Sequence, residues 1–351
     1  MPKQVEPVCN RSMFRCVTIV YGGSMHEISQ ALKAWNIDDF TLDRNLGGSS
    51  RASWRIFTNG KPYVLRKTEG QHAYLDYQIV VLRHLETTNF PYATPRLMPT
   101  AANGAVYAET GDESRWILYP FIAGSRPGRF AVRRVRGDIA KLVARFDASA
   151  ADIDLGARTG YYALTLFDRE EVTQRLAAWE GLPQFQRVSR RAIASILDRY
   201  LTITDDEIAA VDALPKQTLY NDWHRWNLVA DQGRVTGLID FDSLVEAPRI
   251  VDVQNALGYV LMSAIVPWGG VVPGFMRGYC EVSPLSSDEL PLLWPVMIDR
   301  LAWLLSDEIA RGGSSRRMFR ILRVLHWMSK RRDRFEATLL RIGAQYPQRK
   351  L

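Results

Sequence analysis

Residues 219–257 restrict what this chain can fold into more than any other stretch. They open Leu-Tyr-Asn-Asp-Trp-His-Arg-Trp-Asn-Leu-Val-Ala and continue Asp-Gln-Gly-Arg. Val-Thr-Gly-Leu-Ile-Asp-Phe-Asp and then Ser-Leu-Val-Glu-Ala-Pro-Arg-Ile-Val-Asp follow. Residues 228–230 are a short apolar strand. Residues 231–234 carry turn chemistry, with Gly233 free to take a positive φ. Residues 235–239 run back as a second strand, so the pattern predicts a β-hairpin. A hairpin returns the chain to its starting point, and so brings Asp240 back beside Asn227 and both near Asp222. Two carboxylates and one amide oxygen converging there suit a hard divalent cation such as Mg2+, which takes oxygen ligands. One carboxylate binds the metal with the amide, and the other sits beside it as a base.

Phosphoryl transfer asks a protein for this donor set. One Asp accepts the hydroxyl proton, while an Asn and a second Asp hold Mg2+ on the nucleotide phosphates. Asp-x4-Asn alone is a weak signal. Asn-Asp-x-His-x-x-Asn, a hairpin, and then Ile-Asp-Phe-Asp make a specific one. Over residues 40–305 the chain resembles the aminoglycoside phosphotransferase family and its relatives, the choline, homoserine and methylthioribose kinases. In that family the loop usually reads His-Gly-Asp or His-Asn-Asp. Here it is Tyr220-Asn221-Asp222, a change at a support position that leaves the reacting groups intact. The resemblance implies Asp222 as catalytic base, Asn227 and Asp240 as metal ligands, and His224 as loop support. Asp242 either contacts a second metal or fixes the loop after Asp240.

Residues 40–67 read as three antiparallel strands. Asn59-Gly60 is a strong hairpin signal between the second and third. Gly47-Gly48-Ser49-Ser50 lies between the first two, and its backbone N–H groups can meet phosphate oxygens because Gly47 and Gly48 lack a Cβ. It is not a Walker A loop, which needs Gly-Lys-Ser/Thr opening a helix. The third strand should carry a cation for the phosphates. Side chains alternate, so only one of Arg66 and Lys67 can point under the loop. The family pattern Val-Leu-Arg implies Arg66, with Lys67 in reserve. A helix over residues 72–85 follows, with Gln78 in its apolar stripe. In related kinases a Glu in this helix pairs with the strand cation, and Gln78 takes its place here without the charge. Two further strands, 105–109 and 115–121, complete a five-stranded lobe. The resemblance places the adenine edge on hinge backbone at Pro120, Phe121 and Ile122. Beyond the hinge, apolar spacing predicts mostly helices, among them 139–146, 167–179, 188–201, 253–262, 288–305 and 316–330.

At 351 residues the chain is long enough for two lobes. An apolar fraction of 47% with 24% charged residues is that of a soluble globular enzyme. No apolar run reaches the ~18 residues of a membrane span, and the N-terminus has no clear signal-peptide pattern. Three scattered cysteines give neither a disulfide framework nor zinc spacing, so a cytoplasmic protein with free thiols is expected. The net charge of +7 is uneven: residues 311–351 carry twelve Lys or Arg against two acids. Apolar residues recur there at helical spacing, so the segment reads as packed helix with an arginine face rather than a nucleic-acid-binding tail.

The expectation is an α+β, bilobal protein-kinase-like fold, with a small antiparallel β lobe and a larger, mainly helical lobe. Residues 1–39 form a leader and helix, 40–120 the nucleotide-binding lobe, and 121–351 the catalytic and acceptor-binding lobe. The expected reaction moves the γ-phosphate of ATP, or another nucleoside triphosphate, with Mg2+, to a hydroxyl of a small molecule. Only eleven residues separate Asp240 from Asp252, which leaves no activation segment to dock a polypeptide. Arginines scattered through the large lobe favour a neutral, singly charged or zwitterionic acceptor over a polycation. The alternatives are an aminoglycoside antibiotic kinase proper, and a non-catalytic pseudokinase whose basic C-terminus binds nucleic acid or lipid.

Overall fold

Local chemistry in the N-terminal third builds one sheet. In the structure, a computed structural model, the residues described are 24–46, 52–68, 72–111, 114–128, 131–153, 164, 166–182, 186–264 and 268–347. The chain divides into two compact units, Met1–His72 with Arg96–Phe121, and Ala73–Pro95 with Ile122–Leu351.

The first unit opens on α1 (Met25–Leu32), held by a capping box in which Ser24 Oγ accepts from Glu27 N and Glu27 accepts from Ser24 N. A 3-10 turn, Lys33–Trp35, ends at Asn36 with φ 55°. Five strands follow: β1 (Thr41–Asn45), β2 (Ser53–Thr58), β3 (Lys61–Thr68), β4 (Ala108–Glu109) and β5 (Arg115–Pro120). They form an antiparallel sheet in the order β1-β2-β3-β5-β4. Asn59 and Gly60 take φ 50° and 70° between β2 and β3, the two positive values that a two-residue hairpin needs. Trp54 and Trp116 stack at 5.6 Å between centroids and share a core with Ile28, Leu32, Ile56, Leu65 and Leu118. Strand β4 is shorter than the sequence predicts.

The second unit is mainly helical. α2 (His72–Thr87) belongs to it from Ala73 onward. α3 (Ala131–Arg134), α4 (Arg136–Ala150), α5 (Arg169–Ala178), α6 (Gln186–Tyr200) and α7 (Asp205–Asp212) come next. Thr204 and Glu207 form a reciprocal capping box at the start of α7. Four short strands frame residues 216–248. β6 (Lys216–Leu219) pairs with β9 (Val245–Pro248), and β7 (Leu228–Asp231) pairs with β8 (Arg234–Leu238). α8 (Ile250–Ser263), α9 (Val271–Cys280), α10 (Glu289–Ala310), α11 (Ser315–Ser329) and α12 (Arg332–Gln345) follow. α10 runs through both of its prolines. Pro291 lies in the first turn, where an N–H has no intrahelical partner to lose, and Pro295 is buried inside. α11 buries Met318, Ile321, Leu322, Leu325 and Met328, so most of the basic C-terminal segment is packed helix. Among the described residues no helix is long and apolar enough to cross a membrane.

Candidate active site

The segment that carries Asp222, Asn227 and Asp240 is shaped by a hairpin whose turn matches its sequence. Gln232 and Gly233 take φ 47° and 78°, joining β7 to β8. Leu228 pairs with Leu238, and Ile239 N donates to Asn227 O at 2.9 Å. Asp240 therefore follows directly on the residue bonded to Asn227. Tyr220, standing where the family usually has His, donates its hydroxyl to Ile239 O at 2.5 Å. That bond ties the loop before Asp222 to the strand before Asp240.

Asp222 and Asn227 are in direct contact. Asn227 Nδ2 donates to Asp222 Oδ2 at 2.7 Å and to the Asp222 carbonyl at 3.1 Å. Its amide oxygen, on the other side of the planar group, is left to accept or ligate. His224 Nε2 lies 3.4 Å from Asp222 Oδ1. Burial pushes the Asp222 carboxyl above its usual range; His224 and the Asn227 bond pull it down, and the charge of Asp240 pushes it up. Asn221 and Asp240 sit at φ 61° and 66°. Two non-glycine residues thus hold the left-handed region, one directly before Asp222 and the other Asp240 itself.

Other elements hold this geometry. Asp252, on the first turn of α8, accepts Tyr220 N and Asn221 N on separate oxygens, both at 2.8 Å. Asn255 Nδ2 donates to Asn221 O at 2.7 Å. Phe146, Tyr220, Trp223 and Phe241 form a buried aromatic cluster, with Tyr220 and Trp223 4.6 Å apart. From α2, Tyr74 OH donates to Phe241 O at 3.0 Å. The resemblance pairs Gln78 with the strand cation; in the structure its amide nitrogen donates to Asp242 Oδ1 at 2.8 Å. Asp242 is thus anchored beside Asp240.

These residues fit a hard cation. The groups that could hold one are the Asp240 and Asp242 carboxylates and the Asn227 amide oxygen, all oxygen. Among the described residues no group of three or more His, Cys, Asp or Glu could hold a metal. Mg2+ that rests on one or two carboxylates and substrate phosphates needs no such group.

In the first unit, Arg66 and Lys67 are both buried on β3. Lys67 Nζ stands 3.5 Å from Glu27 and 5.5 Å from the Trp116 ring centroid. Alternation along the strand puts Arg66 on the opposite face. Gly47, Gly48, Ser49 and Ser50 lie outside the described residues. At the chain crossing, Pro120 has no N–H and Phe121 N donates to Pro62 O at 3.0 Å. Ile122 is the first backbone amide beyond the sheet.

Sequence reasoning missed the loop-holding role of Asp252, which lies in the first turn of α8 beyond a cap position, Arg249, that has no side-chain bond. The signal for its real role is its fully buried carboxylate in an apolar helix, which needs donors. Asn255 and Tyr74 give no local signal, because their bonds cross 34 and 167 residues of sequence.

Comparisons with known proteins give the family and the fold. The profile of a family described as phosphotransferase enzyme family matches residues 41–291. A search of curated proteins returns no match. An aminoglycoside phosphotransferase from Alicyclobacillus acidocaldarius subsp. acidocaldarius DSM 446 superposes with a TM-score of 0.63 at 17% identity, covering 90% of this chain and 96% of that one. A microcompartment-associated aminopropanol kinase gives 0.58 at 16%, covering 91% and 100%. An amicoumacin kinase solved with AMP-PNP and Ca2+ gives 0.55 at 16%, covering 81% and 87%. At these identities the structures establish a shared kinase-like fold.

Proposed function

This chain belongs to the phosphotransferase enzyme family, and from that premise we propose that it is a small-molecule kinase moving the γ-phosphate of ATP, or another nucleoside triphosphate, to an acceptor hydroxyl. The observation that carries this reading is the 2.7 Å bond between Asn227 and Asp222, with Asp240 brought back by the hairpin. Asp222 orients the hydroxyl and takes its proton. Its side chain, 35% exposed, is open to an approaching hydroxyl. Asn227 and Asp240, with Asp242 beside them, are the residues to hold Mg2+, which when bound neutralises charge on the phosphates. Arg66 and the amides of Gly47, Gly48, Ser49 and Ser50 serve the phosphates, and backbone at Pro120, Phe121 and Ile122 serves the base. Positioning and electrostatics supply most of the catalysis.

The acceptor in this reading is small. β9 and α8 directly follow the Asp240 segment, so no chain is left over to form a peptide-docking surface. Its charge is also constrained. Trp226, half exposed and next to Asn227, lies under the Arg126 guanidinium at 4.7 Å and the Arg225 guanidinium at 4.3 Å. Arg317 of α11 is close enough for its charge to lower the Asp222 carboxyl. Such surroundings favour a neutral, singly charged or zwitterionic hydroxyl compound over one with several ammonium groups. Aminoglycoside, aminopropanol and amicoumacin kinases among the structural relatives keep an amino compound in view, including an aminoglycoside proper. A screen of hydroxyl compounds for acceptor-dependent ADP release, with mass spectrometry of the products, tests the reading. A product heavier by one phosphoryl group supports it. Failure of the chain to bind Mg·ATP, with no stimulated ADP release, overturns it in favour of a non-catalytic binding protein.

A further inference from the structure

Beneath the catalytic loop lies a pair of carboxyl groups that phosphoryl transfer itself does not use. Asp147 on α4 is 1% exposed and Asp252 on α8 is 0% exposed. Two ionised carboxylates cannot share so dry a site, because desolvation and mutual repulsion add. Their hydrogen-bond partners are divided unequally. Asp252 accepts one backbone N–H on each oxygen, from Tyr220 and Asn221, which suits an ionised group. Asp147 Oδ2 accepts the Tyr279 hydroxyl at 2.7 Å, while its Oδ1 is buried with no donor among the described residues. Ionised, Asp147 would leave a charged oxygen bare in the interior, at a large desolvation cost. A proton on Oδ1 removes that charge and turns Asp147 into a donor. The acceptor beside it is Asp252, on α8, which packs against the α4 helix that carries Asp147.

We propose that Asp147 and Asp252 share one proton, carried on Asp147, and that this neutral carboxyl is a positioning residue for the catalytic loop. Asp147 steadies the Asp252 carboxylate, Asp252 holds the Tyr220 and Asn221 amides, and those two residues aim Asp222. The directions of titration agree. Burial first, and then the Asp252 charge, push the Asp147 carboxyl well above its usual range. Burial raises Asp252 to about 6, against hydrogen bonds that pull it down. The other groups facing the pair do not supply an alternative proton. Arg249 and Glu289 are bonded to each other at 2.6 Å and act on Asp147 in opposite senses. The Tyr279, Tyr220 and Tyr77 phenols are pushed up by burial and stay neutral.

A proton retained by the native state fixes the sign. Above the ordinary carboxylate range the unfolded chain releases this proton while the folded chain keeps it. Stability contributed by the pair is therefore present at low pH and lost as pH rises toward the folded-state value. Once the proton leaves, two carboxylates face each other, and the loop amides lose a settled acceptor.

The test compares the full-length parent with Asp147→Asn, whose amide donates without titrating, and Asp147→Val, which cannot donate. Hydrogen exchange of the Tyr220 and Asn221 amides, corrected for the intrinsic pH dependence of exchange, reads loop positioning. Urea unfolding reads the shared proton. Parent protection should fall as pH rises from mildly acidic to alkaline. In Asp147→Asn it should stay level, with stability exceeding the parent's increasingly toward alkaline pH. Asp147→Val should lose loop protection at every pH. Parent protection that does not change with pH, or an Asp147→Asn stability difference that does not grow with pH, overturns the proposal even if Asp147→Val fails to fold. The catalytic consequence rests on the kinase reading; exchange and unfolding do not, so a failed acceptor screen leaves this test standing. With an acceptor in hand, Asp147→Val should lower kcat by about 100-fold, the scale of a misplacement near 1 Å, with Asp147→Asn restoring it.

Discussion

At the scale of single residues, three side chains divide the work in the proposed mechanism. Asp240 supplies a charged ligand, so Asp240→Ala should abolish Mg2+-dependent nucleotide binding in a calorimetric titration. Normal Mg·ATP binding by this variant would remove Asp240 from the metal site. Asn227 contributes a neutral oxygen to the metal, but its amide nitrogen also donates to Asp222 at 2.7 Å. Asn227→Ala should therefore weaken nucleotide binding less than Asp240→Ala does, and should lower turnover by more than its own binding loss explains. Equal losses in binding and turnover would mean that the Asn227–Asp222 bond does nothing beyond holding the metal. Asp222, Asn227 and Asp240 were legible as a set because a short hairpin connects them and turn chemistry is local. Asp252, Asn255 and the Gln78–Asp242 bond were not, because each depends on elements brought together by the fold across 31 to 164 residues.

Among the elements, hairpins and long amphipathic helices could be read in advance. Asn59-Gly60 and Gln232-Gly233 sit where positive φ is required, and α2, α4, α6 and α11 carry their apolar residues at helical spacing. β6 and β9 are four residues each and pair across a loop and a hairpin, so neither shows a period of its own. α9 is masked in sequence by Pro273, Gly274 and Gly278, which read as breakers. Gly278 is needed for packing: a Cβ there would lie 2.9 Å from Gly137 O. The catalytic hairpin uses the same device. A Cβ on Gly237 of β8 would lie 2.9 Å from Ala93 O and 3.3 Å from Val229 Cβ. Gly237→Ala should destabilise the protein by roughly 1–3 kcal/mol, the usual cost of overpacking, read as a lower urea midpoint. An unchanged midpoint would mean that this approach is slack. Thr204→Ala, which removes half of the α7 capping box, should cost about 1 kcal/mol in the same assay while leaving Mg·ATP binding intact.

For the whole molecule, the helix expected within residues 40–120 groups from Ala73 onward with the second unit, while the five-stranded sheet followed from the order of strand and helix signals, since each segment's local pattern agrees with its neighbours. The acceptor did not, because no motif encodes the shape of a pocket built from several helices. Charge constrains specificity in the proposed site. Kanamycin-type compounds should turn over more slowly than homoserine, choline or simple nucleosides, because their several ammonium groups need compensating carboxylates beside them. Efficient turnover of the polycation alone would contradict that preference and leave the kinase assignment in place. The central claim is that Asp222 does the chemistry in a chain that otherwise binds and positions. Its most direct test is Asp222→Asn, assayed for Mg·ATP binding and for phosphorylated product by mass spectrometry with the best acceptor found. The prediction is nucleotide binding equal to the parent's and a transfer rate lower by about 10²- to 10⁴-fold, the range of a general base. A variant that folds, binds Mg·ATP and transfers phosphate at close to the parent's rate would contradict the account.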